Sequence, residues 1–124
     1  MSAPRTVTVQ TGDHGPVTLD EPFWCTGVHP PVDCRSDIVH DGEESALVIE
    51  TPCHGPVRVA AAALLQYPFG LRDRQVRVLV EFDELHEYDA ATLAVLADSL
   101  VAYAVGPLHG LIERLQLLEG GDGS

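Results

Sequence analysis

The chain contains no lysine, and its seven basic residues are all arginines, set against 19 acidic residues. The formal charge of −12 excludes the basic stripe with which nucleic-acid-binding proteins neutralise phosphates, and it disfavours anionic membrane surfaces. Without lysine the chain has neither a Walker-type phosphate loop nor a Schiff-base nucleophile. The composition therefore predicts no nucleic-acid partner and no membrane partner.

Long hydrophobic runs are also missing. The longest uninterrupted apolar stretch is Val59–Leu65, which is much shorter than the ~20 residues of a membrane helix. The first residues lack an apolar signal core, so we expect a cytoplasmic protein. A length of 124 residues with 45% hydrophobic residues predicts one domain over residues 1–118, followed by a flexible glycine-rich tail at 119–124.

Period-two alternation and turn residues predict a sheet followed by helices. The expected strands cover residues 6–10, 16–19, 36–40, 45–50, 57–67 and 75–82. The alanines of 57–67 favour a helix by propensity, but the Pro-Phe-Gly turn that follows favours a strand, and we choose the strand. Asp41-Gly42 predicts a hairpin that joins 36–40 to 45–50.

Two helices are expected after this sheet. Asp89 is a suitable N-cap for a helix over residues 90–105. The core stripe of that helix is predicted to be Leu93, Leu96, Leu100 and Ala104. Gly106-Pro107 should stop the helix or kink it sharply. The fold class is therefore α+β, a mostly antiparallel sheet with C-terminal helices packed on one face.

The second helix has an apolar stripe of its own. Its members recur at helical spacing between Leu108 and Leu118. We expect this Leu108–Leu118 stripe to be a surface for a protein partner or for self-association, unless it docks on the sheet.

A four-residue sequence occurs twice. His14-Gly15-Pro16-Val17 recurs forty residues later as His54-Gly55-Pro56-Val57. Glycine permits a reversal and proline presets φ for the strand that follows. We interpret the echo as one turn used twice rather than as a repeat architecture.

Four potential metal ligands, Cys25, His29, Cys34 and His40, lie in one proline-bearing loop with the spacing C-x3-H-x4-C-x5-H. Zinc binds thiolate and neutral imidazole in a tetrahedron, and structural sites take their ligands from short spacings. The odd count of three cysteines, in a chain expected in the cytosol, favours metal over a disulfide. We predict a Zn²⁺ site formed by these four side chains.

The fourth ligand is the least certain in this motif. The candidates for that position are Cys34, Cys53, His54 and Asp37. A hairpin at Asp41-Gly42 would fold residue 53 back beside residue 40, and Asp37 is either a ligand or a partner that orients an imidazole. Without a metal, Cys25 would be a small buried hydrophobe and the histidines would be loop residues.

The chain also resembles a known family. Phe23-Trp24-Cys25, the following His29, Asp37-Ile38-Val39-His40 and Gln66-Tyr67-Pro68-Phe69 resemble a group of short actinobacterial proteins that carry a domain of unknown function. The resemblance spans roughly residues 15–105. It implies a Trp-Cys, His and Asp-x-x-His site made of Cys25, His29, Asp37 and His40, and it implies no activity.

These patterns support three hypotheses. The first is a non-enzymatic zinc-binding domain that serves as a protein-interaction or regulatory module. The second is a metal-dependent hydrolase with three protein ligands and an open water position. Asp33 and Asp37 are the only local candidates for a general base, so we assign no catalytic residue. The third is a thiol switch formed by Cys25 and Cys34. The acidic residues at 83–89 are interpreted as a solvated connector before the helix.

Overall fold

The computed structural model describes residues 5–52, 54–83 and 87–120. The strands are β1 (Arg5–Thr11), β2 (Gly15–Glu21), β3 (His40–Asp41), β4 (Ser45–Thr51), β5 (Gly55–Gln66) and β6 (Arg77–Phe82). A 3₁₀ turn covers Arg35–Asp37, and the C-terminal helix consists of α1 (Ala90–Tyr103), a π-helical turn (Ala104–Leu108) and α2 (His109–Gly120). The predicted α+β class is confirmed.

The chain divides into two compact units. One unit takes in the residues up to Glu43 together with Leu64–Arg77, and the other takes in Glu44–Ala63 and the chain from Val78 onward. The assignment of residues 1–118 to a single domain stays a prediction. Of the predicted tail, residues 119 and 120 continue α2, and 121–124 lie outside the described residues.

The two hairpins use the same turn. In the first unit β1 pairs antiparallel with β2, and in the second β4 pairs with β5. Thr11 and Thr51 each donate to the carbonyl oxygen four residues later and accept the amide three residues later, at 2.8–3.1 Å. Gly15 and Gly55 both have positive φ, 63° and 65°, which glycine adopts without steric cost. The interpretation of the repeated His-Gly-Pro-Val as one turn chemistry is confirmed.

The strand predicted at 36–40 is mostly wrong. Residues 35–37 form the 3₁₀ turn, and of the predicted residues only His40 belongs to a strand, the short β3. β3 pairs with the end of β5, His40 opposite Gln66 and Asp41 opposite Leu65, rather than with β4. Asp41-Gly42 therefore does not form the predicted hairpin. The amide of Gly42 instead donates to the carbonyl of Leu64 at 2.8 Å.

The strand choice for residues 57–67 is confirmed, since β5 runs from Gly55 to Gln66. Within the second unit it pairs with β4 and β6. Ala60, Ala61 and Ala62 are consecutive and all buried, so both faces of the strand are covered at that point. Small side chains suit such a position, and this packing overrides the helical propensity of alanine.

The C-terminal helix does not stop at Gly106-Pro107. The backbone passes through the π-helical turn with Pro107 inside it and continues into α2. Proline lacks the N–H that the α-helical ladder requires and its ring crowds the preceding turn. A wider turn accommodates both defects, because π-helical geometry hydrogen-bonds with a different offset.

The face of α1 that packs on the sheet differs from the predicted one. Leu93 and Leu100 are 53% and 41% exposed. The core of the second unit contains Tyr103, with Leu96 packed against it, together with Leu47, Ile49 and Ala60 of the sheet. The N-cap is as predicted, since the Asp89 carboxylate accepts the amide of Thr92 at 2.8 Å. The predicted core stripe includes the exposed Leu93 and Leu100 beside the packed Leu96, because alanines and leucines occur on most sides of this helix and their spacing does not define the buried face.

By length and composition alone, Ala90–Glu119 is long and apolar enough to cross a membrane. The core helices of soluble proteins can have the same length and composition. A count of uninterrupted apolar residues misses this segment, because Thr92 and Asp98 interrupt it. The absence of a membrane partner stays a prediction.

Replacing Tyr103 with phenylalanine is expected to lower the free energy of unfolding by about 1 kcal/mol. The Tyr103 hydroxyl donates to the Ser45 carbonyl at 2.7 Å, and the side chain is buried. Phenylalanine keeps the packing and leaves that carbonyl without this donor. Urea denaturation of both proteins measures the difference, with Tyr67→Phe, at a 41% exposed position, as the matched control. Equal midpoints for Tyr103→Phe and wild type would contradict the expectation.

Candidate metal centre

The first unit brings four potential ligands to one point. Glu21 is the last residue of β2, Cys25 and His29 lie in the loop that follows, and His40 begins β3. One ligand atom from each lies within 4.8 Å of all the others. The side chains of Glu21, His29 and His40 are 4%, 3% and 2% exposed, and Cys25 is also buried. The cluster is thus shielded from solvent on all sides.

Backbone hydrogen bonds hold the loop that carries Cys25. The amide of Cys25 donates to the Pro22 carbonyl at 3.1 Å, which closes a tight turn directly after Glu21. The amide of Thr26 donates to the Asp41 carbonyl at 2.8 Å, and Cys25 forms an antiparallel bridge with Gly42. These contacts bind the cysteine loop to the strand that holds the fourth ligand.

The distance between sulfur and nitrogen in the cluster is close to an edge of a zinc tetrahedron. Cys25 Sγ lies 3.6 Å from His29 Nε2, and bonds of about 2.3 Å to sulfur and 2.0 Å to nitrogen at the tetrahedral angle give an edge of about 3.5 Å. Glu21 Oε2 lies 2.9 Å from His29 Nε2, and Oε1 lies 2.8 Å from His40 Nδ1. Those distances are shorter than the about 3.3 Å expected for oxygen and nitrogen on one zinc ion, and the 2.9 Å contact between Glu21 and His29 is a hydrogen bond.

The imidazole of His40 is the group in this cluster whose hydrogen bonding is incomplete. Its Nδ1 is buried and makes no hydrogen bond, although Glu21 Oε1 lies only 2.8 Å away. The two facts differ because a hydrogen bond requires alignment as well as proximity. Because the contact is poorly aligned, the buried Nδ1 is left without a good partner, at a desolvation cost of about 1–3 kcal/mol. A cation coordinated by His40 Nδ1 and Glu21 Oε1 would provide both atoms with a partner.

Burial and neighbouring groups set the protonation states in this cluster. Burial lowers the pKa of His40, which favours the neutral imidazole that a metal requires. Burial also opposes ionisation of Glu21, but hydrogen bonds with Cys25 and His29 more than offset it, so the pKa of Glu21 lies below its ordinary value. Burial, reinforced by the hydrogen bond with Glu21, raises the pKa of Cys25. Of these three groups, Cys25 is therefore the one that must lose a proton to become a metal ligand.

Three of the four predicted ligands, Cys25, His29 and His40, belong to this cluster. Cys34 does not; it is exposed and occupies the N-cap of the 3₁₀ turn. Asp37 lies in that turn and is also outside the cluster. His54 is exposed in the second hairpin turn, and Cys53 lies outside the described residues.

Glu21 is the member of the cluster that the sequence patterns did not predict. The signal was available, because Glu21, Cys25 and His29 follow one another with the spacing E-x3-C-x3-H. The predicted ligands begin at Cys25 and include one carboxylate candidate, Asp37, so the carboxylate that precedes the cysteine was not considered, although zinc accepts glutamate oxygens as well.

Comparison with known proteins identifies a family for the chain but assigns it no activity. No curated protein and no solved structure matches the chain. A family model described as a domain of unknown function (DUF6907) matches residues 6–116. The resemblance to an uncharacterised domain family is thus confirmed, while the actinobacterial source and the recurrent motif stay predictions. Since the match covers nearly the whole sequence, the chain belongs to the DUF6907 family.

Proposed function

We propose that the chain is a non-enzymatic zinc-binding domain in which Glu21, Cys25, His29 and His40 hold one structural Zn²⁺. The observation that carries the proposal is the buried His40 Nδ1, which lacks a hydrogen bond and faces the oxygen of a buried carboxylate. The mixed sulfur, nitrogen and oxygen donor set suits zinc, whereas magnesium and calcium prefer oxygen alone.

Zinc bound here would join three separate segments of the first unit. The ligands come from the end of β2, the cysteine loop and β3. Trp24 is a large apolar side chain that this loop buries, whereas Phe23 and Val28 are both strongly exposed. The loop therefore has little core of its own, and structural zinc supplies of the order of 10 kcal/mol to the folding of such segments.

The alternative of a metal-dependent hydrolase receives less support. A catalytic zinc keeps one position open for water or substrate. Four protein donors would fill a four-coordinate site and leave no open position, and the three Glu and His side chains are each less than 5% exposed. Asp33, one of the two general bases considered, is exposed and outside the cluster. A structural role therefore follows more directly from this geometry.

The interaction part of the proposal rests on the C-terminal helix. Within the Leu108–Leu118 stripe, Leu108 and Leu111 pack inward and Ile112 is exposed. Leu117, Val101 and Val105, which are not members of the stripe, are exposed as well. Exposed apolar groups of this kind mark contact surfaces. We propose that they contact another protein or a second copy of the chain. Light scattering of the wild type and a Val101→Asp/Val105→Asp variant tests self-association; two monomeric proteins would exclude it.

Metal analysis of the protein purified without chelator is expected to give about one zinc per chain. Removing the ion should lower the thermal midpoint by many degrees, and adding zinc should restore it. A Cys34→Ser variant is the matched control and should keep its zinc. Protein that arrives metal-free, takes up no zinc and is equally stable with and without it would contradict the proposal.

A further inference from the structure

We infer that Arg5 is a positioning residue for the metal centre, which holds the backbone around Cys25 and thereby sets the zinc affinity and the sulfur coordination. This inference rests on the proposed function, because it assigns Arg5 a role relative to the zinc ligands.

Arg5 reaches the cysteine turn from the neighbouring strand. In the β1–β2 pair it lies directly opposite Glu21. Its Nη2 donates to the carbonyl oxygens of Pro22 and Cys25, at 3.3 Å in both cases. The Pro22 carbonyl is also the acceptor that closes the turn with the amide of Cys25. One guanidinium group therefore ties together both ends of the turn that presents the thiol.

The direction of the sulfur depends on the same backbone. The amide of Gly27 donates to Cys25 Sγ at 3.4 Å, and Gly27 has a φ of 85°, which favours glycine. A rotation of the Cys25 carbonyl would tilt the next peptide unit and move this amide away from the sulfur. By fixing that carbonyl, Arg5 protects an N–H···S bond that stabilises a thiolate ligand. Contacts of this outer kind orient metal ligands and commonly change metal affinity 10- to 100-fold.

If Arg5 affected the site only through its positive charge, the expected change in zinc affinity would have the opposite sign. Replacement of one thiol proton by a divalent cation raises the positive charge of the site, and a guanidinium nearby opposes this change. If Arg5 acted only through its charge, its removal would strengthen zinc binding. A loss of zinc affinity on removal of Arg5 would therefore indicate that Arg5 acts by positioning the backbone around Cys25.

The experiment compares Arg5→Met and Arg5→Lys with wild type and with Arg77→Met, which removes an exposed ion pair with Asp73 instead. Zinc affinity is measured by competition with a chromophoric chelator. Cobalt substitution is measured as the thiolate-to-metal charge-transfer absorption per bound Co²⁺. Arg5→Met should bind zinc about tenfold more weakly and show a weaker charge-transfer band. Arg5→Lys, which can still donate to both carbonyls, should recover most of both signals, and Arg77→Met should match wild type.

The outcomes separate this inference from the proposed function. Wild type that binds no zinc removes the proposed function. Wild type that binds zinc while Arg5→Met binds equally or more tightly, with an unchanged cobalt spectrum, overturns only the role of Arg5. If Arg5→Met does not fold, Arg5→Gln takes its place, since its shorter amide cannot span both carbonyls. Wild-type affinity in that variant likewise overturns the inference.

Discussion

Glu21→Ala should lower the affinity for zinc by at least about 100-fold, since even the outer partners of zinc ligands contribute up to that factor. Both oxygens of the carboxylate face the cluster, at 2.8 Å from His40 Nδ1 and 2.9 Å from His29 Nε2. Its removal takes away one potential ligand and the buried negative charge that lies against two buried imidazoles. Chelator competition measures the loss, and circular dichroism of the metal-free variant shows whether it folds.

Two further variants make this result specific to the ligand set. Glu21→Gln keeps the size and one acceptor oxygen but removes the charge, so it should retain the fold and still lose most of the affinity. Cys34→Ser should change the affinity by less than about twofold, because Cys34 is exposed and outside the cluster. The reverse pattern, with loss in Cys34→Ser and none in Glu21→Ala, would restore the ligand set predicted from cysteine and histidine spacing.

Much of the fold could be predicted from local patterns. Alternating residues predicted β1, β2 and β4, and the turn and capping signals at Gly15, Gly55 and Asp89 have the contacts expected of them. Such signals are local, because the side chain and the backbone group that it binds are only a few residues apart. At these three positions no distant segment is needed to satisfy the signal.

The errors arose where a distant segment decides the local structure. Asp41-Gly42 is a hairpin signal, yet β3 pairs with the end of β5, more than twenty residues away in sequence. The face of α1 was ambiguous because apolar residues occur around most of the helix, and the buried Tyr103 settles it through Ser45. Neither partner can be identified from periodicity.

The candidate site shows the same division. Cys25, His29 and His40 were identified by type and proximity in sequence, whereas the fourth position required knowledge of where β2 ends. Because β2 ends at Glu21, immediately before the cysteine turn, its carboxylate lies against the loop that follows. Cys34, although closer in sequence to His40, lies at the start of a 3₁₀ turn outside the cluster.

The affinity for zinc should rise about tenfold for each pH unit between roughly pH 7 and 8.5, because Cys25 must lose its proton to bind. Burial and the hydrogen bond with Glu21 raise the pKa of this thiol above its ordinary value, so it is protonated throughout that range. Burial lowers the pKa of His40, and the pKa of Glu21 is also lowered. Both are therefore already in their binding forms. Calorimetry in buffers of different ionisation enthalpy should count about one proton released per zinc at pH 8.

The metal-free protein should respond to pH in the opposite direction. A group with a raised pKa in the folded state contributes stability below its unfolded pKa, about 8.5 for cysteine. That contribution is lost as the pH rises through the folded pKa. The apo form should therefore lose stability above about pH 8.5, while the stabilisation by added zinc grows with pH up to that point. Denaturation curves with and without zinc test both slopes. Zinc binding without proton release at pH 8 would mean that Cys25 does not bind as a thiolate, and the ligand set proposed here would then lose its sulfur.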